Sequence, residues 1–546
     1  MTRLSQGWKH LITCIKAWQT KEHKNQQQPR ELTAPERLQQ NLQAWTKLSS
    51  QSSFEISDRQ LYKQIYDLMA TCALKPHTVE AAMQKLLASK EFSPVLLFQR
   101  LEKFYLRWCQ GEFIDAPPKD NLPQQKMLHL QSQNINIGLR QVDVNTGLNV
   151  LILLLELHRH AQQQQQLKEK IIFYPSGKQH LDNFFTSQLL RVINYSDAIE
   201  IGNFSNVVGE FLKEGNFSGA NFSDANLIGV NFSGANLSKA NLGDANLTGA
   251  NFTNANLSSA NLSDANLSSA NFSGANLTNT DLSSANLSGA NFSGADLCRA
   301  NLHSVNLHSA NFNGADLSHA NLTGANLKDA TLSSSYLSHA IIFGANLSEA
   351  NLNGANLNYT DLCRSDLSGA NLNHATLKGA NLSDTILFNT SFKSAILIAA
   401  DLSYAKFNGA KLNGANLQNV ILLGADLGGV DLSSVILNEA DLSGVILSKA
   451  NLSNADISDA ILFGTDLSYA NLTCANLSGS NLSGAILNGA DLSHTNLSHA
   501  ILGGADLSEA NLEKMNWSDY LNWEGVRGLD KAVNVPEGLK QQLGLR

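Results

Sequence analysis

The sequence predicts an α+β multidomain chain: a mainly helical N-terminal domain, then a long square-sectioned β-solenoid with a C-terminal helical cap. Three observations carry this. From Asn216 to Met515 almost every fifth residue is Leu or Phe, with Ala two positions before it. Within that stretch Phe232, Phe252, Phe272, Phe292 and Phe312 recur every twenty residues. Residues 33–109 instead carry capped apolar patterns at helical spacing.

A period of five fits neither regular structure. On an α-helix successive leucines would step about 140° around the axis and cover every face. On a continuous strand an odd period would flip each Leu to the opposite side. Within one unit, such as Ala285–Gly289 or Ala235–Lys239, Ala and Leu are two apart and point the same way, and the polar remainder suits a bend. A short extended side followed by a corner satisfies both. The twenty-residue Phe recurrence then makes four sides per coil, with these five rings as a core ladder. Fifteen or so coils at ~4.8 Å give a rod roughly 70 Å long.

Units such as Ala-Asn-Leu-Ser-Gly at 285–289 and Ala-Asp-Leu-Ser at 315–318 resemble those of the pentapeptide-repeat family. The resemblance spans residues 206–517. It implies a right-handed quadrilateral β-helix in which Leu or Phe and the preceding small residue fill the interior and the other three positions face outward. Fold implies function only weakly.

The chain divides into an amphipathic segment and linker at 1–30, a helical domain of unassigned role at 31–200, the solenoid at 201–517 and a cap at 518–546. With 546 residues and 43% hydrophobic residues it can bury a large core. The repeat carries 23 acidic and 10 basic residues, a net of −13, so the remainder nets +5 within the total of −8. Cys14, Cys72, Cys109, Cys298, Cys363 and Cys474 lack CxxC spacing and read as reduced cytoplasmic thiols. The apolar run Val150–Leu155 is too short to span a bilayer, and the first thirty residues lack the apolar core of a signal peptide.

In residues 1–24, Leu4, Trp8, Leu11, Ile12 and Ile15 oppose Arg3, Lys9, Lys16, Lys21 and Lys24. Such a helix either packs on the helical domain or contacts a membrane surface weakly, at a peripheral location. Thr33-Ala-Pro-Glu36 is a capping box ahead of Leu38, Leu42 and Trp45. Helices also begin near Ser57, Thr78 and Ser93, suggesting a four-helix bundle. Val142–Leu157 is a strongly apolar segment, Gln162–Gln166 continues it as a solvated helix face, Ile171–Tyr174 is a short strand, and Leu181–Ile193 and Glu537–Leu543 are helices. His158 and His160 fall on a polar flank. Val207 and Leu212 keep the Leu register of an imperfect first coil, with Glu210 at an inward place. After Trp517 the pattern dissolves. Solenoid ends are open sheet edges, so both flanks are expected to cap them.

No P-loop, GxGxxG, GxSxG or HExxH motif occurs. A filled rod offers flat convex walls rather than a pocket, so neither an enzyme nor a cofactor or metal site is expected. The best-known activity of the family is imitation of DNA towards type II topoisomerases. A duplex of ~70 Å carries about 40 charges, three times what this repeat supplies, and Asp426, Asp431, Asp441, Asp456 and Asp466 cluster only in part. That reading, as inhibitor or protector, stays an alternative; direct nucleic-acid binding is not expected. Surface columns read twenty residues apart place Arg299, His319, His339 and Tyr359 together, as well as Arg364, Asp384 and Tyr404, and Cys474 with His494. The clearest functional signal is Ile341, Phe343, Ile421, Leu423, Ile461, Phe463 and Ile501 on one face, where Asn and Ser are the rule. The sequence therefore points to a non-enzymatic scaffold that binds an unidentified protein partner along a rigid wall. The helical domain supplies a second contact or a location, and the chain is a candidate homodimer.

Overall fold

The computed structural model describes residues 32–50, 53–177, 187–518, 521 and 523–544. The amphipathic segment 1–24 and its linker lie outside the described residues. The described residues divide into two compact units, one within 32–57 and 75–93, the other within 58–74 and 94–544.

In the first unit α1 (Ala34–Ala44) packs on α3 (Pro76–Leu87). The capping box forms as its sequence requires, with the Thr33 N–H donating to Glu36 Oε2 at 2.9 Å. Leu38, Leu42 and Trp45 of the expected stripe are buried.

The helical part of the second unit is built on α6 (Leu139–Gln162), which packs against α2 (Asp58–Met69), α4 (Pro94–Cys109) and α5 (Leu122–Ser132). Of the four N-terminal helices, α2 and α4 gather on α6, and α1 and α3 pair within the first unit. This helix is buried along most of its length because its apolar residues run all round it. No helix among the described residues is long and apolar enough to cross a membrane.

Three local expectations are corrected here. The helix stops at Gln162, and Gln163–Gln166 follow it as an exposed turn with no apolar residue to dock. His158 is buried, not on a polar flank, and burial holds its pKa below the usual histidine value. Segment 171–174 pairs with no strand; instead the Phe173 N–H donates to His158 Nδ1 at 3.3 Å. Helix α7 (Gln188–Asp197) covers the end of the expected 181–193 helix, residues 178–186 being outside the described set.

Where an imperfect first coil was expected, the chain forms α8 (Asn203–Val208) and a 3-10 turn, Gly209–Phe211. Asp197 holds the start of α8, accepting from the Gly202 and Phe204 N–H groups at 3.0 Å. Phe204, Val208 and Phe211 are buried, whereas Glu210 is exposed and Val207 half-buried. Leaving the coil register frees Glu210 from an inward place that a carboxylate could occupy only at high desolvation cost. The Gly209 carbonyl accepts from the Asn231 N–H at 3.1 Å, so the turn pairs with the first true coil.

From Asn216 to Asn516 each coil pairs with the next through parallel bridges twenty residues apart, such as Asn216↔Asn236 and Asn496↔Asn516. This is a quadrilateral β-helix. Each side is so short that its pairing is a single bridge, and no continuous strand occurs among the described repeat residues. Ala and Leu or Phe fill the interior. The rings of Phe252, Phe272, Phe292 and Phe312 stack 4.7–4.8 Å apart and within 4° of parallel. Phe232 joins the top at 5.5 Å and 17°. Above it Phe217 and Phe222 pack edge-on, closing the interior where the helical part begins.

Past Trp517 the pairing persists rather than dissolving: Asp506↔Arg527 and Asn511↔Val533 continue it with steps of 21 and 22 residues. Helix α9 (Glu537–Leu543) follows, with Leu539 buried and the Trp517 indole N–H donating to Gln542 Oε1 at 3.3 Å.

Candidate interaction surface

Each five-residue unit ends in a corner whose last residue has φ between +53° and +73°. Gly, Asn, Asp, Ser and even Arg and Tyr occupy it, but no Val, Ile or Thr does, since a β-branched side chain is most strained there. The Asn before each Leu is half-buried rather than simply outward. Its Oδ1 accepts from the N–H two residues on, as Asn291 does from Ser293 at 3.1 Å. Its Nδ2 donates to the Asn one coil earlier, as Asn291 to Asn271 at 3.1 Å and Asn311 to Asn291 at 3.0 Å. Asn291→Ala is therefore expected to cost about 1–2 kcal/mol, and Asn291→Asp less, because a carboxylate still accepts from Ser293 and Asn311. Denaturant midpoints of the two variants test this order.

The ladder explains why Asn outnumbers Asp. A carboxylate can accept but not donate, so Asp281, Asp361 and Asp456 each sit under an Asn that donates to them at 2.9–3.0 Å. Stacked acids repel, and Asp296 next to Asp316 is such a pair. In the last third of the rod Asp alternates with Ile down a column, as in Asp426, Ile446, Asp466, Ile486 and Asp506, ending on Arg527.

The seven apolar candidates lie on one wall, and all are exposed. Leu423 and Phe463 stand out furthest, at 58% and 59% exposure. They form two groups. Ile341 and Phe343 are separate, with the Arg364 guanidinium over the Phe343 ring at 5.8 Å. Ile421, Leu423, Ile461, Phe463 and Ile501 occupy alternate coils lower down. Beside this second group the corner is Gly on five successive coils, at 424, 444, 464, 484 and 504; Gly444, Gly464 and Gly484 are bare, whereas the Tyr404 ring lies over Gly424.

The other columns also take shape. His319 stacks on His339 at 5.0 Å and His339 on Tyr359 at 5.2 Å, as amide and aromatic ladders do at strand spacing. Arg364 and Asp384 pair at 3.7 Å, largely in water, where such a bond contributes under about 1 kcal/mol. Cys474 is exposed and free, and among the described residues no group of three or more His, Cys, Asp or Glu could hold a metal ion.

Sequence reading missed a polar node in the helical part. Asp143 is buried on α6 and accepts from Tyr66 Oη at 2.6 Å, Trp108 Nε1 at 3.1 Å and Tyr195 Oη at 3.2 Å. Burial pushes its pKa up to about 6, against the three donors, which pull it down. Gly147 permits the arrangement, since a Cβ there would lie 2.0 Å from the Trp108 ring. Six residues beyond Asp143, Asn149 Nδ2 donates to the Met69 and Cys72 carbonyls at 2.9 and 2.8 Å, fixing the turn after α2. A lone Asp in an apolar helical run was the available signal. An open recess of about 720 Å³ beside Glu102, Glu169, Lys170 and Asn216 is lined by no His or Cys.

A chain of identical short sides around a filled interior, with flat outer walls, defines a quadrilateral β-solenoid. The sequence profile of pentapeptide repeats matches from residue 215 to 513 with a break only at 385–394, more than half the chain. The protein belongs to the pentapeptide-repeat family. Among solved structures it is similar to HetL, a pentapeptide-repeat protein involved in heterocyst differentiation regulation in Nostoc sp. strain PCC 7120. The two share 32% identity over 44% of this chain and 90% of HetL, with a TM-score of 0.23. The Nostoc PCC 7120 pentapeptide-repeat protein alr5209 shares 36% identity over 22% and 83% of the two chains, with a TM-score of 0.13. QnrB1, a plasmid-mediated fluoroquinolone resistance protein, shares 22% over 32% and 86%, with a TM-score of 0.18. No curated protein sequence matches the chain.

Proposed function

We propose that the protein is a non-enzymatic scaffold that binds a protein partner along a wall of its rod. The observation that carries this is the group of Ile421, Leu423, Ile461, Phe463 and Ile501, exposed in register on a flat surface, with Leu423 and Phe463 at a place that the repeat mostly fills with Ser, Thr or Asn. A rigid wall loses little entropy on binding, which favours recognition by side-chain pattern. The helical domain serves as a second contact or as a locating module, and the cytoplasm is the proposed setting. The segment from Arg527 to α9 acts as a cap, a role supported by its bridges to the last coil and by the contact of Trp517 with Gln542.

Topoisomerase protection by charge imitation is the weaker reading, because the repeat nets only −13 and, in the column from Asp426 to Asp506, acids alternate with Ile and leave gaps of ~9.6 Å between charges. Affinity capture with the full chain carrying Leu423→Ser and Phe463→Ser is the test. The pair is expected to lower partner recovery about tenfold or more. Recovery equal to that of the parent chain would remove this wall from the function.

A further inference from the structure

The wall from Ile421 to Ile501 has a pattern that matches itself when turned end for end. Five successive coils present Ile421 with Leu423, Asp441 with Ser443, Ile461 with Phe463, Asn481 with Ser483, and Ile501 with Gly503. We propose that this wall pairs face to face with the same wall of a second copy, antiparallel, about a twofold axis through the coil of Ile461. The proposal rests on the reading of the wall as an interaction surface and goes further by naming what covers it.

A twofold axis lying in the contact plane and across the rods keeps each column opposite itself and reverses the order of coils. Ile421 then faces Ile501, and Ile461 faces its own copy. Leu423, the bulky end of its column, faces Gly503, the bare end. Phe463 meets Phe463. Gly corners face Gly corners, Gly424 against Gly504 and Gly444 against Gly484; Gly444, Gly464 and Gly484 are bare, so the two backbones can approach there to the ~10 Å of packed sheets, with the Tyr404 ring lying over Gly424 at the outer end.

The polar positions match as well. Asp441 lies between Ile421 and Ile461, so no ladder Asn donates to it, and its Oδ1 is taken by Ser443 at 2.6 Å. Asn481 lies between Ile461 and Ile501, which offer its amide no side-chain acceptor, and its Oδ1 is taken by Ser483 at 2.6 Å. In the antiparallel pair Asp441 stands opposite Asn481 twice, an acceptor lacking a ladder donor against a donor lacking a ladder acceptor. A generic apolar partner would leave both unmatched. One contact is adverse: the exposed Asp459 faces its own copy at the rim. Ile341 and Phe343 fall beyond the pairing, as do the stacked His319 and His339, six coils or more from Asp459 in the same corner column.

The matched area is roughly 25 Å by 10 Å of wall, below the ~800 Å² per partner of a standard interface, so the dimer is weak. Sedimentation equilibrium of the full chain up to about 100 µM is expected to show a reversible monomer–dimer equilibrium. Gly464→Arg is expected to weaken it at least about tenfold. That variant should fold normally, since Arg364 holds the same corner five coils earlier at φ 59°, Arg299 holds another corner at φ 57°, and a Cβ at Gly464 meets nothing within 4 Å. Asp459→Asn is expected to tighten the dimer and reduce its salt dependence. The register has its own test: Leu423→Lys and Gly503→Asp should each be monomeric alone and form a mixed dimer when combined, because the introduced ammonium then faces the introduced carboxylate. A chain that stays monomeric throughout, a dimer indifferent to Gly464→Arg, or the absence of a mixed dimer would overturn self-pairing. If the parent chain is monomeric while the Ser variants still lose a captured partner, the scaffold reading stands and only self-pairing falls.

Discussion

Phe272→Ala is expected to destabilise the solenoid by about 3–5 kcal/mol, the range for emptying a buried aromatic site that cannot collapse. Phe272 lies between Phe252 and Phe292, each 4.8 Å away and nearly parallel, in coils held together by backbone bridges on every side. The walls cannot move inward without breaking those bridges, so the cavity persists. Phe272→Leu is expected to cost only about 1–2 kcal/mol, because Leu fills the equivalent places elsewhere in the rod, as Leu332 does one coil past Phe312. Because coils couple mainly to their neighbours, the Ala variant should also split the unfolding transition into an early and a late step. Thermal or urea unfolding of the full chain measures both. Equal losses for Ala and Leu would mean that the ladder adds nothing beyond apolar volume.

Asp143→Ala is expected to cost about 3–5 kcal/mol, by leaving Tyr66, Trp108 and Tyr195 facing an apolar void without an acceptor. Asp143→Asn keeps an acceptor and should stay within about 1 kcal/mol of the parent at pH 7. The two also differ in pH dependence. Asp143 has a folded pKa of about 6, above the usual value of 3.8, so the folded state binds its proton more readily than the unfolded chain does. Its contribution is therefore greatest below pH 4 and declines as the pH rises to 6, by about 3 kcal/mol in all. Asp58, Glu112 and Asp491, all with lowered pKa, change in the opposite sense, losing stability as the pH falls. Unfolding free energies of the parent and Asp143→Asn, compared from pH 4 to 7, isolate the one carboxylate. A constant difference over that range would mean that Asp143 is not buried as described.

The repeat half was legible because its signal is periodic. Leu at every fifth place and Phe at every twentieth admit one winding, and the stacked rings from Phe252 to Phe312 follow from it. The exposed group at Ile421, Leu423 and Phe463 was legible for the same reason: once the register is set, an apolar residue at an outward place stands out. The helical half was readable only as helices. Thr33 and Glu36 mark a start by local chemistry, but nothing local to Ser57 or Ser93 says that the helices after them gather on the long apolar helix. The burial of His158 and the donors around Asp143 depend on residues dozens of positions away.

By itself, then, the sequence determined the winding, the number of sides, what lies inside and which outward positions break the polar rule. All of these depend on spacing along the chain, which a five-residue repeat carries without tertiary context. Only the tertiary structure decided that Asn forms ladders rather than a passive coat, and that residues 203–211 leave the coil. It also decided that residues 527–533 rejoin the coil and that a carboxylate sits inside the helical part. Those outcomes turn on which polar group finds a partner once water is excluded, and partners distant in sequence meet only when the chain is folded.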